Sequence, residues 1–474
     1  MTIMNMRHIK PLLSLAILLA ATAAQTPVQA QVRTWTLKQC IDHALEHNIG
    51  VKQRDNERRR QELQLSTARN SRLPDLNASV GQNFSFGRGL TAQNTYTNTN
   101  TSSTSFSIGT GIPLFTGMSI PNTIKLNRLN LEAATADLEK AKNDIRMQVA
   151  QAYVEILYAM EMADVAHRQI AIDSMQAERL KAMVDNGKAS EVELSQQQAT
   201  LSQSRLTATQ ADNNMKLALL TLSQLLELPT PENFAVSRPG VGGKAESHTV
   251  SLSSPDASLP SPDAILPSPD AILPSPDAIY AEAAGSRPEI LAEQLRLQGT
   301  KRSIAIARAA LYPQLSLSAG LGTNYYKTSG FRAEPFSDQI KNNFSQYIGL
   351  NLSIPIFNRF QTRNNIRSAK ISRETQMLQL DNTRKALYKE IQQVYYNATA
   401  AAAKYNSSSL AVRSSGNAFM LMTAKYENGK AGITEFNEAK NNYLKAESDL
   451  TQARYEYLYQ TALLDFYRGH ELDF

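Results

Sequence analysis

Leu76-Asn77-Ala78-Ser79-Val80-Gly81-Gln82-Asn83-Phe84-Ser85-Phe86 decides how this chain folds. Read at every second position, it places Leu76, Ala78, Val80, Gln82, Phe84 and Phe86 on one face. Asn77, Ser79, Gly81, Asn83 and Ser85 fall on the other. Three further stretches alternate in the same way. Phe106, Ile108, Thr110, Ile112 and Leu114 oppose Ser107, Gly109 and Gly111. Leu315, Leu317, Ala319, Leu321, Thr323 and Tyr325 oppose Ser316, Ser318, Gly320, Gly322 and Asn324. Ile348, Leu350, Leu352, Ile354 and Ile356 oppose Tyr347, Gly349, Asn351 and Ser353. A period of two held over about 9–11 residues suits a tilted strand that crosses a bilayer, with lipid on one side and a wet lumen on the other. Leu76, Val80, Phe84, Leu317, Leu321, Leu350 and Leu352 are therefore expected to face lipid.

The four strands come in two pairs, because the chain is duplicated. Ala68-Arg69 through Pro74-Asp75-Leu76 recurs as Ala307-Arg308 through Pro313-Gln314-Leu315. Ile112-Pro113-Leu114-Phe115 recurs as Ile354-Pro355-Ile356-Phe357, and Asn186-Gly187-Lys188-Ala189 as Asn428-Gly429-Lys430-Ala431. Order and spacing hold through all three, the mark of an internal repeat. Each copy reads helix, Pro, strand, loop, strand, Pro, very long helix, Gly turn, long helix. Proline is poorly tolerated inside helices and central strands, so Pro74 and Pro113 are expected at the helix–strand joints.

The spacing predicts strands at about 75–86, 104–114, 314–325 and 346–357. It predicts long helices at about 122–185, 190–227, 359–427 and 433–466. The first of these would extend about 95 Å. Its apolar positions Ile145, Val149, Ala152, Ile156, Met160 and Ala163 keep helical spacing. A helix so long and so rich in Ala, Gln and Lys must pack against others to persist. The hairpin tips, 87–104 and 326–343, read as exposed polar loops.

Residues 1–30 read as a secretory signal. Arg7 and Lys10 precede an apolar run from Leu12 to Ala24, and Val28-Gln29-Ala30 offers a small-residue cleavage site. The first repeat then occupies 31–228, a Pro/Ser-rich linker 229–275, the second repeat 276–467 and a short tail 468–474. Three tandem L-P-S-P-D-A-I heptapeptides run from Leu259 through the end of the linker to Ile279, and the linker reads as a semi-rigid spacer.

Composition narrows the functions. Of 474 residues, 42% are hydrophobic and only 7% aromatic, which suits thin layers of helix more than a thick core. The net charge of +6 forms no basic stripe interleaved with aromatics, so nucleic acid is not an expected partner. The single cysteine, Cys40, excludes an intramolecular disulfide. Cys40, His43 and His47 share one helix, but no fourth metal ligand accompanies them, and they read as structural. Gly240-Val241-Gly242-Gly243-Lys244 lacks the leading Gly and final Ser/Thr of a phosphate loop. No catalytic constellation is present, and neither an enzyme nor a cofactor is expected.

Four strands leave two open edges, and unpaired backbone cannot face lipid. The chain must therefore complete its barrel with copies of itself; three copies would give twelve strands and a water-wide lumen. The duplicated helix–hairpin–helix plan, the joint prolines, the Asn-Gly turns and the opening Thr36-Leu37 through Ala44-Leu45-Glu46-His47-Asn48 resemble the TolC-like outer-membrane efflux proteins across nearly all of 35–467. The resemblance implies a mainly α fold with a small β part. In it, a homotrimeric twelve-strand outer-membrane barrel continues into a periplasmic α-helical tunnel. It also implies export of small molecules or proteins, with a periplasmic adaptor and an inner-membrane pump of RND or ABC type as partners.

The same resemblance places the Gly187 and Gly429 turns at the periplasmic tip. The pore-constricting acids it implies are Glu193, Glu435 and Glu438, where the family has Asp. Tyr426 matches the tyrosine that hydrogen-bonds across the closed tip, with Glu193 its expected partner. Ala431 stands in place of the family's Arg, with Lys430 adjacent, so the resemblance leaves the gate's salt bridge open. Read from the residues alone, the same acids are ordinary first-turn helix carboxylates. Two other classes compete. A periplasmic coiled-coil adaptor would lack membrane-type strands, and a surface fibre would show unbroken heptads.

Overall fold

The computed structural model describes residues 33–90, 94–229, 234–238 and 273–472. The signal segment and most of the linker, including the first two heptapeptides, lie outside them. The elements, in chain order, begin with β1 (Arg33–Trp35), α1 (Leu37–His47), α2 (Ile49–Asn70), β2 (Asn77–Leu90) and β3 (Tyr96–Thr116). The first long hairpin follows as α3 (Ser119–Asp185) and α4 (Glu191–Leu225), then β4 (Phe234–Val236). The second repeat comprises α5 (Pro276–Ser286), α6 (Pro288–Ala309), β5 (Gln314–Thr328), α7 (Phe336–Asn342), β6 (Ser345–Ser353), α8 (Gln361–Glu427) and α9 (Ile433–Tyr467).

One antiparallel sheet runs β2-β3-β5-β6, leaving β2 and β6 as its edges. The helices next to these strands keep the same order: α2 packs on α3, α3 on α6, and α6 on α8. Further down, α4 folds back along α3, α9 along α8, and α9 meets α3. The protomer is thus one curved wall, strands above and helices below, with α3 and α8 running through the helical part. Both long helices start in the same unusual way. Gly117 and Met118, and then Arg359 and Phe360, are consecutive left-handed residues that swing the chain out of the strand. A Cβ at Gly117 would sit 2.5 Å from the Ala309 carbonyl oxygen, so only glycine fits that joint.

The strands run further into the tips than apolar alternation shows. Arg88↔Asn98 and Leu90↔Tyr96 still pair, because residues standing above a bilayer need β-propensity but no lipid-facing side chains. Pro113 lies inside β3 and not at the joint. The register shifts between Pro113 and Phe115, and at such a bulge a missing N–H costs nothing. The shift makes Phe115, not Leu114, the partner of Leu315. The 326–343 tip contains a helix, α7, in place of a plain loop.

The main core sits at the waist of the helical wall. Leu37, Cys40, Ile41 and Ala44 of α1 pack with Val149, Tyr153 and Ile156 of α3, Leu222 of α4, Ile279 of α5, Ile391 of α8 and Leu464 of α9. Fully burying each Leu or Ile contributes about 1.5–3 kcal/mol, and the many alanines let the helices approach closely. A parallel β1–β4 pair, unforeseen in a segment read as spacer, seals this core with Phe234 and Val236 buried. The Tyr153 hydroxyl bridges its two strands, donating to the Ser237 carbonyl (2.6 Å) and lying 3.4 Å from that of Trp35.

Candidate channel wall and periplasmic tip

Directly opposed residues in an antiparallel pair share a face. Val80↔Phe106↔Thr323, Ile108↔Leu321 and Ile112↔Leu317↔Leu350 therefore form one apolar surface, which Leu315↔Leu352 and Ala319↔Ile348 extend. Val80, Phe84, Leu321, Leu350 and Leu352 are exposed on it, as is Leu76 one residue before β2. Leu317 is half-buried between Ile112 and Leu350. From Leu315 to Tyr325 the surface covers about 34 Å of strand. At a barrel tilt of about 40° this gives a band about 25 Å tall, the height of a barrel's lipid belt.

The reverse face carries Ser79, Gly81, Ser107, Gly109, Gly320, Gly322 and Asn351. Tyr347 lies across Gly320 so closely that a Cβ there would come within 2.6 Å of its ring. One face for lipid and one for water are what a channel wall requires.

β6 begins at Ser345, opposite Gly322, leaving the upper part of β5 as an edge. Helix α7 covers it. Gln339 accepts from the Tyr326 N–H (2.8 Å) and donates to its carbonyl (3.0 Å). Asn343 donates to Asn324 O (2.8 Å), and Phe336 packs on Phe106 and Tyr325. No local signal in the sequence marks this role for Gln339.

At the far end, both Gly turns close the long helices identically. Gly187 N–H bonds to Val184 O and Lys188 N–H to Met183 O; Gly429 and Lys430 repeat this on Tyr426 and Lys425. Gly187 and Gly429 have φ of 68° and 69°, the left-handed conformation this motif needs.

The four expected gate residues gather around these turns. Glu193 and Ser190 form a capping box, Glu193 accepting from Ser190 N–H (3.3 Å) and Ser190 Oγ from Glu193 N–H (3.2 Å). Glu435 likewise accepts from Gly432 N–H (3.1 Å). The Ser190-x-x-Glu193 spacing carries this signal in the sequence itself. Glu438 is exposed one turn on.

Tyr426 is not hydrogen-bonded to Glu193 as expected. It stacks on Phe436 (centroids 4.9 Å apart) beneath the Arg179 guanidinium, which also pairs with Glu427 at 3.8 Å. Burial pushes the Tyr426 phenol above its ordinary range; Arg179 opposes the shift and nearby Glu193 adds to it. Arg179, unremarked in the sequence, thus brings a cation to the tip where Ala431 supplies none.

Above the tip lies a charge cluster that sequence reading missed. Asp173 and Lys440 are fully buried and paired at 2.6 Å. The Asp173 carboxylate also accepts from Ser204 (2.5 Å), Gln169 (2.7 Å) and Gln197 (3.5 Å), joining α3, α4 and α9. Cys40 is in the waist core, His43 stacks on His47, and among the described residues no three metal-capable side chains converge.

The sequence model of the outer membrane efflux protein family matches residues 40–227 and 279–470. The chain belongs to this family. Protein CyaE of Bordetella pertussis is 25% identical over 330 residues, covering 67% of this chain and 61% of that protein. Fusaric acid resistance protein FusA of Burkholderia cepacia is 26% identical over 304 residues, covering 61% and 49%. The chain thus spans half to three-fifths of the length of these curated relatives. The crystal structure of the Campylobacter jejuni CmeC outer membrane channel superposes with a TM-score of 0.71 at 19% identity, covering 92% of this chain and 87% of that one. The fold is that of the outer-membrane channel-tunnels, and the protein is an outer-membrane protein with a periplasmic helical extension.

Proposed function

We propose that this efflux-family protein is the exit duct of a tripartite efflux or type I secretion system, passing small molecules or proteins without chemistry on them. The observation that carries the reading is the four-strand wall with one apolar and one polar face and two open edges. Three copies would close twelve strands into a barrel and continue it as a twelve-helix tunnel.

The helices support the same assembly. The edge helix α4 exposes Val192, Leu206 and Leu220 at heptad multiples, and the opposite edge helix α8 exposes Ile371, Leu378, Tyr396, Leu410 and Leu421. Two unpartnered apolar seams on opposite edges suit head-to-tail ring closure. A periplasmic adaptor and an RND- or ABC-type inner-membrane pump would meet the tip, where both Gly turns project.

The gate would lie at that tip. Glu435 and Glu438 from three chains would crowd six carboxylates round one axis, giving a cation-selective constriction. Glu193 and Tyr426 would brace its wall, the aromatic stack with Phe436 and Arg179 taking the place of a tyrosine hydrogen bond. The test is reconstitution: the protein should need detergent for extraction, run as a trimer and conduct in planar bilayers with low resting conductance. A monodisperse monomer obtained without detergent would refute the duct and favour an adaptor.

A further inference from the structure

The wall immediately below the barrel is charged predominantly in one sense. The helical segments and joints that adjoin the strands, 63–74, 119–131, 294–313 and 359–373, hold thirteen lysines and arginines and no Asp or Glu. Chain-wide the two signs are nearly balanced, 49 against 43. Among the described residues only Arg296 of the thirteen has an ion-pair partner. The one carboxylate within the α2–β2 joint itself, Asp75, accepts from the Gly111 N–H (2.6 Å) and from Asn77 (2.8 Å).

Helix dipoles do not explain this. Arg69 and Arg308 stand at helix C-termini, where cations are favoured, but Lys125, Arg128, Arg363 and Arg367 stand near the N-terminal ends of α3 and α8, where they are not. Neither N-terminus has an acid in its first turn. The placement is also kept between repeats. Lys125 and Arg128 correspond to Arg367 and Lys370 at the offset that relates Pro113 to Pro355. Arg69 corresponds to Arg308 at the offset of Pro74 and Pro313. Three cationic positions are thus shared by the two copies, whereas Lys301 and Arg302 stand where the first copy has Glu62 and Leu63.

Four of the cations converge: Lys125 and Arg128 from α3 and Lys301 and Arg302 from α6 line one groove of about 480 Å³ with Leu129 and Gln298. All four lie within about 15 Å of the strand ends along their helices. A headgroup layer begins where the lipid belt stops and is several ångströms deep, and Lys and Arg stems can reach up to it. On α3 the Cα–Cβ bonds tilt toward the membrane as well.

We infer that this collar is a binding surface for the anionic headgroups of phospholipids in the periplasmic leaflet, with the α3–α6 groove its most concentrated seat. A phosphate there relieves the repulsion among four unpaired cations. Such contacts would hold the barrel at fixed depth while the helices below move. The inference rests on the barrel and not on the gate.

Detergent-purified full-length protein is titrated with phosphatidylglycerol or phosphatidylethanolamine, and bound lipids are counted by native mass spectrometry, which reports the trimer in the same spectrum. The expected preference for phosphatidylglycerol is at least about fivefold, the equivalent of about 1 kcal/mol for one engaged cation. It should weaken in high salt. The variant Lys125→Gln/Arg128→Gln/Lys301→Gln/Arg302→Gln should bind both lipids nearly equally, whereas Lys181→Gln/Lys216→Gln/Lys389→Gln/Arg413→Gln, lower on the helices, should keep the preference. Should the first variant not assemble, Lys301→Gln/Arg302→Gln alone should still reduce it. An undiminished preference in the groove variants overturns the inference. So does an altered anion-to-cation permeability with unchanged lipid binding, which would put these cations in the lumen.

Discussion

Replacing outward-facing residues of β6 by arginine tests the barrel at three depths on one strand. Ile348, Leu350 and Leu352 all point from the apolar face and are exposed in the protomer by 82%, 69% and 57%. β6 ends at Ser353, and each two-residue step along a strand tilted about 40° climbs about 5 Å. Leu352 thus sits near the periplasmic boundary of a band about 25 Å tall, Leu350 about 5 Å deeper, and Ile348 close to the midplane. An arginine costs about 2–4 kcal/mol at the midplane and about 0–1 at the interface. The order of damage should therefore be Ile348→Arg, then Leu350→Arg, then Leu352→Arg. Because each trimer carries three copies, Ile348→Arg should destabilise assembly by about 6–12 kcal/mol. Asn351 provides the control: it lies between Leu350 and Leu352 in depth but faces the lumen, so Asn351→Arg should assemble like the wild type. Outer-membrane trimer on unheated gels and urea unfolding in lipid vesicles would read the series. Equal damage from Asn351→Arg and Leu350→Arg, or full assembly of all three outward variants, would refute the assignment of faces.

At the tip, Glu435→Gln/Glu438→Gln should lower cation selectivity in planar bilayers without unwinding α9, since glutamine also serves at the third position of a helix cap. Tyr426→Ala should raise resting conductance more than Tyr426→Phe, because the ring packs on Phe436 whereas the hydroxyl holds no partner in the protomer; the reverse order would restore the hydrogen-bonded gate. Lys440→Met should cost about 3–5 kcal/mol in thermal or chemical unfolding by stranding the Asp173 charge, and Asp173→Asn/Lys440→Met should recover most of it. Gly187→Ala and Gly429→Ala should each destabilise the tip by about 1–2 kcal/mol, seen as faster amide exchange confined to the turns. Burial pushes the Cys40 thiol up to about 12. At pH 8 it should therefore stay protonated and resist maleimide until the protein unfolds, since the thiolate is the reactive form.

The strands, their two faces, the duplication and the Gly turns were legible in the sequence, because each rests on local rules. A period of two assigns faces without knowledge of partners, and a left-handed turn selects glycine wherever the chain goes next. The capping role of Glu193 was equally local and readable from Ser190. What only the tertiary structure decided is what distant residues do for one another. Asp173 and Lys440 are 267 positions apart and look like two solvated helix charges until α3, α4 and α9 close round them. Gln339 reads as a loop residue until α7 folds back onto the unpaired edge of β5. Trp35 and Val236 are brought together only across the first repeat, and the bulge at Pro113 exchanges Leu114 for Phe115 through pairing with β5. Pattern fixes which way a side chain points; which group it meets depends on the closure of long loops, and that closure is settled by the packing of the whole wall.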